Sequence, residues 1–188
     1  MTEKIAYVFP GQGAQFAGMG KDFFNNYEVS KYIYETADKV LGKEISRICF
    51  EGSDEELKQT SNTQPCIVAT EIAILEALKN ELNIEPFAVA GHSLGEYSAM
   101  YAAGVLSLED TFKAIQKRAN SMSKIKDGKM AAVISDDMEL INKCLDEAGV
   151  FGSISIANYN SPKQVVITGV GSAVDKAIDR EVIIILVV

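Results

Sequence analysis

The sequence predicts an α/β protein in two parts: strand–loop–helix units over residues 1–127, then a ferredoxin-like βαββαβ unit over residues 128–188. Three observations predict it. A short apolar run near the N-terminus closes on a glycine-rich loop. A second short run, residues 87–91, breaks at once into Gly91-His92-Ser93-Leu94-Gly95 and then into a helix-compatible segment. From Lys129 onward the apolar period switches between that of a strand and that of a helix in the order β, α, β, β, α, β.

Taken in order, residues 5–9 form an apolar run ending at Pro10-Gly11, the pattern of a buried strand feeding a loop that carries Gly11, Gly13, Gly18 and Gly20. Val29, Ile33, Ala37, Val40 and Leu41 then recur at helical spacing, and Ser53 followed by three acidic residues is a helix start. A longer helix is expected from about Pro65, a residue suited to a first turn, through Ile67, Ile72, Leu75 and Leu78. Beyond the elbow a helix is expected to begin at Glu96. Ser107 caps another that carries Phe112, Ile115, Ala119 and Met122 and ends in a turn near Gly128. The second part reads as strand 130–135, helix 138–148, strand 153–157, turn 158–163, strand 164–168, helix 173–178 and strand 182–188.

With 188 residues, 47% hydrophobic and 23% charged, the chain can bury a core and is ordinary for a folded domain. A net charge of −8 argues against a nucleic-acid binder, which needs a basic surface to displace counterions from phosphates. Cys49, Cys66 and Cys144 show no metal or disulfide spacing and read as small buried hydrophobes. The longest apolar run, 182–188, is too short to span a bilayer, and the N-terminal segment lacks the pattern of a secretory leader. A cytoplasmic protein without a membrane partner is expected.

Gly91-His92-Ser93-Leu94-Gly95 fits the GxSxG nucleophile elbow, and it stands where that pattern has meaning, directly after a strand and before a helix. A turn that tight leaves room for little more than hydrogen beside the nucleophile. The following helix start directs N–H groups toward it. Ser93 is the candidate nucleophile and the Leu94 N–H a candidate oxyanion donor, with a second donor sought in the Gly11-Gln12-Gly13 loop. Two phosphate-loop readings fall short. Gly169-Val170-Gly171 has Val174 in place of the third glycine of a dinucleotide fingerprint, and Gly20-Lys21 lacks the upstream glycine of a P-loop, so both read as turns.

Four separated motifs, in order, carry a resemblance: Pro10-Gly-Gln-Gly-Ala-Gln15, Gly91-His-Ser-Leu-Gly-Glu-Tyr97, Arg118, and Ala157-Asn-Tyr-Asn-Ser-Pro162 followed by Gln164-Val-Val-Ile. Over nearly its whole length the chain resembles the malonyl-CoA:acyl-carrier-protein transacylases of bacterial fatty-acid synthesis. The resemblance implies an α/β-hydrolase-like large subdomain, incomplete here, with a ferredoxin-like small subdomain. It implies that Ser93 takes the malonyl group from malonyl-CoA as an ester and passes it to the phosphopantetheine thiol of holo acyl carrier protein. It also implies that Gln12 and Leu94 supply the oxyanion hole and that Arg118 holds the free malonyl carboxylate. Arginine suits this because its planar fork binds a carboxylate at two points and stays charged when partly buried. His92, Met122, Asn158 and Asn160 are further substrate-site candidates; one-turn spacing puts Met122 beside Arg118, where packing in the core is an equal reading. For the two asparagines the alternative is turn chemistry. No tightly bound cofactor and no metal are implied, coenzyme A leaves as product, and a complete enzyme is expected to be a monomer.

The family's general base is a histidine shortly after the last strand of the small subdomain, whereas His92 is the only histidine here, so a C-terminally truncated chain is expected. His92, beside Ser93 on a tight turn, projects elsewhere and is a poor base for it. Lys113, Lys117, Arg118, Lys124, Lys126 and Lys129, interrupted only by Asp127, form a basic run that either faces an acidic carrier and the phosphates of coenzyme A or is a solvated helix face. The competing functions are a serine hydrolase or thioesterase, a polyketide-type acyltransferase, and a non-catalytic carrier-binding fragment.

Overall fold

A computed structural model describes residues 4–82 and 84–179 of the chain. In order the elements are β1 (Ala6–Phe9), α1 (Lys21–Asn26), α2 (Glu28–Leu41), α3 (Ile45–Glu51), α4 (Asp54–Lys58), α5 (Thr60–Leu82), β2 (Ala88–Gly91), α6 (Gly95–Ala102), α7 (Leu108–Met122), β3 (Gly128–Ile134), α8 (Met138–Ala148), β4 (Ile154–Ser161), β5 (Gln164–Val170) and α9 (Gly171–Ile178). The strand expected at 182–188 lies outside the described residues. The described chain divides into two units between Lys124 and Ile125. Ile125 to Asp127 go with the second, where the Asp127 carbonyl accepts the Gly171 N–H at 2.9 Å.

In the first unit β1 and β2 pair in parallel, with Ala6 opposite Ala88 and Phe9 opposite Gly91. Parallel pairing brings both C-terminal ends to one edge, so the loop after β1 and the turn after β2 emerge side by side. The centre of the unit is α5. Residues Asn62 to Ala73 are almost all buried around its circumference, as expected of a helix enclosed on every side. Ile33 and Tyr34 of α2, Ile45, Ile48 and Cys49 of α3, Leu57 of α4, and Phe112 and Ile115 of α7 join Cys66, Val68 and Ile72 of α5 in one core. Tyr34, Phe24 and Phe50 meet edge to face, with centroids 4.9–5.9 Å apart.

Pro65 stands inside α5, not in its first turn. A proline there removes the N–H that the Ser61 carbonyl would otherwise accept, one helical turn earlier. The structure supplies substitutes: the Ser61 carbonyl accepts from Lys43 Nζ at 3.2 Å and from Gln116 Nε2 of α7 at 3.5 Å. The helix therefore continues through a residue that the sequence pattern places at its start.

In the second unit β3, β5 and β4 lie in that order, all antiparallel. This is the 1–3–2 order of a ferredoxin-like βαββαβ unit. Alternate residues Ala131, Val133, Val165 and Ile167 face Ile141 and Ala148 of α8 and Val174 and Ala177 of α9. The turn expected over 158–163 is shorter. β4 runs on to Ser161, with register shifts between Ile156 and Asn158 and between Tyr159 and Ser161, so these residues form a bulged strand and only Pro162 and Lys163 turn the chain. α9 likewise starts at Gly171, two residues earlier than expected.

All three cysteines are buried and free. No described helix is long and apolar enough to cross a membrane.

Glu71 is the one acid in the middle of α5, 8% exposed, and its Oε2 accepts from Ser98 Oγ of α6 at 2.5 Å. Burial pushes its carboxyl up to about 7, although the Ser98 hydrogen bond pulls the other way. Because the folded value lies above the unfolded one, the associated stability is full below about pH 4.5 and is lost as pH rises through about 7. The Glu71→Gln variant keeps an acceptor for Ser98 and cannot ionise. Urea denaturation should show wild type losing up to about 3 kcal/mol more than Glu71→Gln between pH 5 and pH 8. Parallel pH profiles of the two proteins would count against this account of Glu71.

Candidate active site

The elbow is built by backbone. His92 N–H donates to the Phe9 carbonyl at 3.0 Å, continuing the β1–β2 ladder one residue past Gly91. The chain then reverses, Gly95 N–H donates to the His92 carbonyl at 3.0 Å, and α6 begins. Ser93, at the apex, has φ of 56°, the single positive value at a non-glycine position among the described residues. Side chains reach that region at a cost, and such strain collects at functional sites. The glycines on either side are sterically required. A Cβ on Gly91 would lie 2.1 Å from the Gly95 carbonyl carbon, and one on Gly95 would lie 2.4 Å from the Phe9 carbonyl oxygen and 2.5 Å from that of Pro10. These neighbours are backbone and cannot step aside.

The loop after β1 abuts the elbow directly. A Cβ on Gly11 would fall 2.8 Å from His92 Nδ1 and 3.0 Å from the His92 carbonyl oxygen. Gln12 follows, exposed, in a turn where Gly13 (φ 111°) donates its N–H to Gln15 Oε1 at 2.8 Å. The loop's far end is held by Tyr34: its hydroxyl pairs with Thr70 Oγ1 at 2.7 Å and donates to the Met19 carbonyl at 3.4 Å. Gly20 (φ 76°) passes so close to that hydroxyl that no side chain fits. On the elbow itself Leu94 is fully buried in the main core and His92 is exposed.

Arg118 reaches the same place from α7. Ser107 caps that helix, accepting the Asp110 N–H, and buried Phe112, Ile115 and Ala119 seat it. The Arg118 guanidinium, half-buried, donates from Nη2 to Ser93 Oγ at 2.9 Å. Sequence spacing places Met122 one turn on; its sulfur accepts from Gln64 Nε2 at 3.3 Å while its side chain stays 37% exposed. Gln64 is fully buried in α5, and its Oε1 has no hydrogen-bond partner among the described residues. The sequence reading missed both Gln64 and Glu71. For Glu71 the signal was an acid inside the mainly apolar stretch 65–75, whereas Gln64 closes a polar run, Thr60 to Gln64, and carries no such signal.

Asn158 and Asn160 belong to the second unit, on the bulged end of β4, where Asn160 Nδ2 donates to Gln164 Oε1 at 3.0 Å. The basic run is partly neutralised: Lys113 pairs with Glu109 at 3.3 Å and Lys129 with Asp175 at 2.6 Å. Among the described residues no group of three His, Cys, Asp or Glu side chains is placed to hold a metal ion. What the first unit assembles is a strained, partly exposed hydroxyl at a helix start with a guanidinium on its oxygen. That arrangement suits attack on an acyl carbon whose substituent carries negative charge.

The acyl transferase domain family matches residues 6–181. The malonyl CoA-acyl carrier protein transacylase of Bacillus subtilis (strain 168) is 42% identical over 178 residues, covering 93% of this chain and 56% of that protein. A crystal structure of malonyl CoA-acyl carrier protein transacylase from Clostridium perfringens superposes with a TM-score of 0.86 at 38% identity, over 94% of this chain and 57% of that one. A complex of a type II polyketide acyl-carrier protein with its malonyl-transacylase also matches, with a TM-score of 0.86 at 36% identity, over 94% and 58%. The chain thus spans little more than half the length of these relatives.

Two substitutions separate steric from chemical roles at the elbow. Gly95→Ala forces a Cβ onto two backbone carbonyls and should cost about 2–3 kcal/mol in urea denaturation. Ser93→Gly removes the left-handed penalty and should be about 1 kcal/mol more stable than Ser93→Ala, which lacks the same hydroxyl but keeps the Cβ. A Ser93→Gly protein no more stable than Ser93→Ala would count against strain stored at the elbow.

Proposed function

The chain belongs to the acyl transferase domain family, and we propose that it takes a malonyl group from malonyl-CoA onto Ser93 and delivers it to the phosphopantetheine thiol of an acyl carrier protein. The observation that carries this reading is the Arg118–Ser93 pair: a guanidinium 2.9 Å from the nucleophile's oxygen. A neutral acyl chain has no use for it. A malonyl group, with a free carboxylate two bonds from the thioester carbon, presents a charge that the arginine fork fits.

In the first half-reaction Ser93 Oγ bonds to the thioester carbon and its proton passes to a base. The carbon–sulfur bond then breaks, and coenzyme A leaves as the thiol. In the second, the carrier's thiol attacks the ester carbon and Ser93 regains its proton. The oxyanion formed each time is assigned to the N–H groups of Leu94 and Gln12, with the α6 N-terminus adding its partial positive charge. Malonyl-CoA is substrate and the chemistry calls for no tightly bound cofactor. His92 lies against Gly11 and is assigned to shaping the site, with Met122 lining it. The two units then play the parts of large and small subdomains, in the cytoplasm. A thioesterase would share the elbow but gains nothing from Arg118.

Incubation with malonyl-CoA followed by intact-mass analysis and peptide mapping tests the reading, with the chain alone and with the C-terminal part of the Bacillus relative supplied in trans. A malonyl adduct on Ser93, absent from Ser93→Ala, is expected in at least the second arm. Folded wild-type protein that stays unmodified in both arms would falsify it.

A further inference from the structure

The hydrogen bond that identifies the site also obstructs it. Ser93 Oγ attacks with a lone pair, and in this structure Arg118 Nη2 donates to that oxygen at 2.9 Å. A hydroxyl oxygen that accepts from a guanidinium has part of its electron density committed, and the guanidinium itself stands beside the oxygen that an incoming acyl carbon must approach. We propose that Arg118 is a latch on the nucleophile, and that it is released only by an acyl group bearing a carboxylate, which draws the guanidinium off Ser93 Oγ. This rests on the reading of Arg118 as the carboxylate site and adds that substrate binding there frees the attacking atom.

Competition decides the direction of exchange. A neutral hydroxyl oxygen accepts one hydrogen bond from the fork, whereas a carboxylate accepts two in parallel and carries a full charge, making the stronger partner. An acyl thioester without a carboxylate offers the guanidinium nothing better than Ser93, so the latch stays closed. Selection would then act on the availability of the nucleophile as well as on substrate affinity. The anchoring of α7 supports a latch that moves at its side chain. Phe112, Ile115 and Ala119 are fully buried, which holds the helix, while the half-buried guanidinium reaches its position on a long flexible stem.

A latch has a thermodynamic signature that needs no turnover. If Ser93 Oγ and a ligand carboxylate compete for one guanidinium, the apparent affinity for the ligand is reduced by the fraction of molecules in which Arg118 is engaged. Removing the hydroxyl should therefore tighten binding. The probe is monomethyl malonate, which has one free carboxylate and one neutral ester in the arrangement of the malonyl thioester, titrated by calorimetry into the chain, Ser93→Ala, Ser93→Gly and Arg118→Ala. The expected result is binding about three- to tenfold tighter in both serine variants than in wild type, the range set by one net hydrogen bond, and loss of binding in Arg118→Ala. Two serine variants guard against a local effect of either. Unchanged or weaker binding in both would overturn the latch and leave Arg118 as a carboxylate site. Binding that survives Arg118→Ala, or is absent from all four proteins, would overturn the assignment of Arg118 and the latch together, while the adduct experiment on Ser93 would stand on its own result.

Discussion

The site depends on a contact between backbones that no side chain could survive. The start of α6 lies on the end of β1 so closely that a single methyl group at Gly95 would meet two carbonyl oxygens, and Gly91 faces Gly95 at still shorter range. That approach turns the chain sharply enough to put Ser93 in the left-handed region and its oxygen within reach of α7. Parallel pairing of β1 and β2 comes first in the causal order, because it brings the two strand ends to one edge. The glycines allow the approach that pairing makes geometrically available.

Behind this edge the first unit is organised around one enclosed helix. α5 supplies the surface on which α2, α3 and α7 pack, and it also carries polar side chains into the interior, each toward an element that touches the site. Thr70 meets Tyr34 beneath the glycine loop, Glu71 meets Ser98 of the elbow helix, and Gln64 meets Met122 at the end of the arginine helix. Buried polar pairs of this kind are directional where apolar packing is not, so they set angles and depths that hydrophobic contact alone leaves soft.

Much of this was legible in the sequence because it is written in local rules. The strand-break-helix pattern around Ser93, the cap at Ser107 and the strand alternation of β3 and β5 each follow from a few neighbouring residues. The pairing of Arg118 with Ser93 was not legible from spacing: nothing local marks that arginine among neighbouring lysines, and only the resemblance of the whole chain singled it out. Pro65 misled for an instructive reason. The rule that proline belongs at a helix start assumes that the orphaned carbonyl has no other donor, and here two arrive from residues 43 and 116, distant in sequence. The asparagines at 158 and 160 misled similarly, since turn-forming residues also serve at bulges, and the hairpin partner β5 decided between the two uses.

The carbonyl that Pro65 leaves without its helical donor is a meeting point for three segments: α5 itself, the loop carrying Lys43, and α7 through Gln116, two residues before Arg118. A proline-free α5 would be the better isolated helix, with the Ser61 carbonyl satisfied from within. Its claim on its neighbours at that point would weaken, and α7 would be held to α5 by one polar contact fewer, that of Gln64 with Met122 remaining. An imperfection of secondary structure thus acts as an attachment, and a redesign that perfected the helix would gain local order by surrendering a tether two residues from the arginine that holds the nucleophile.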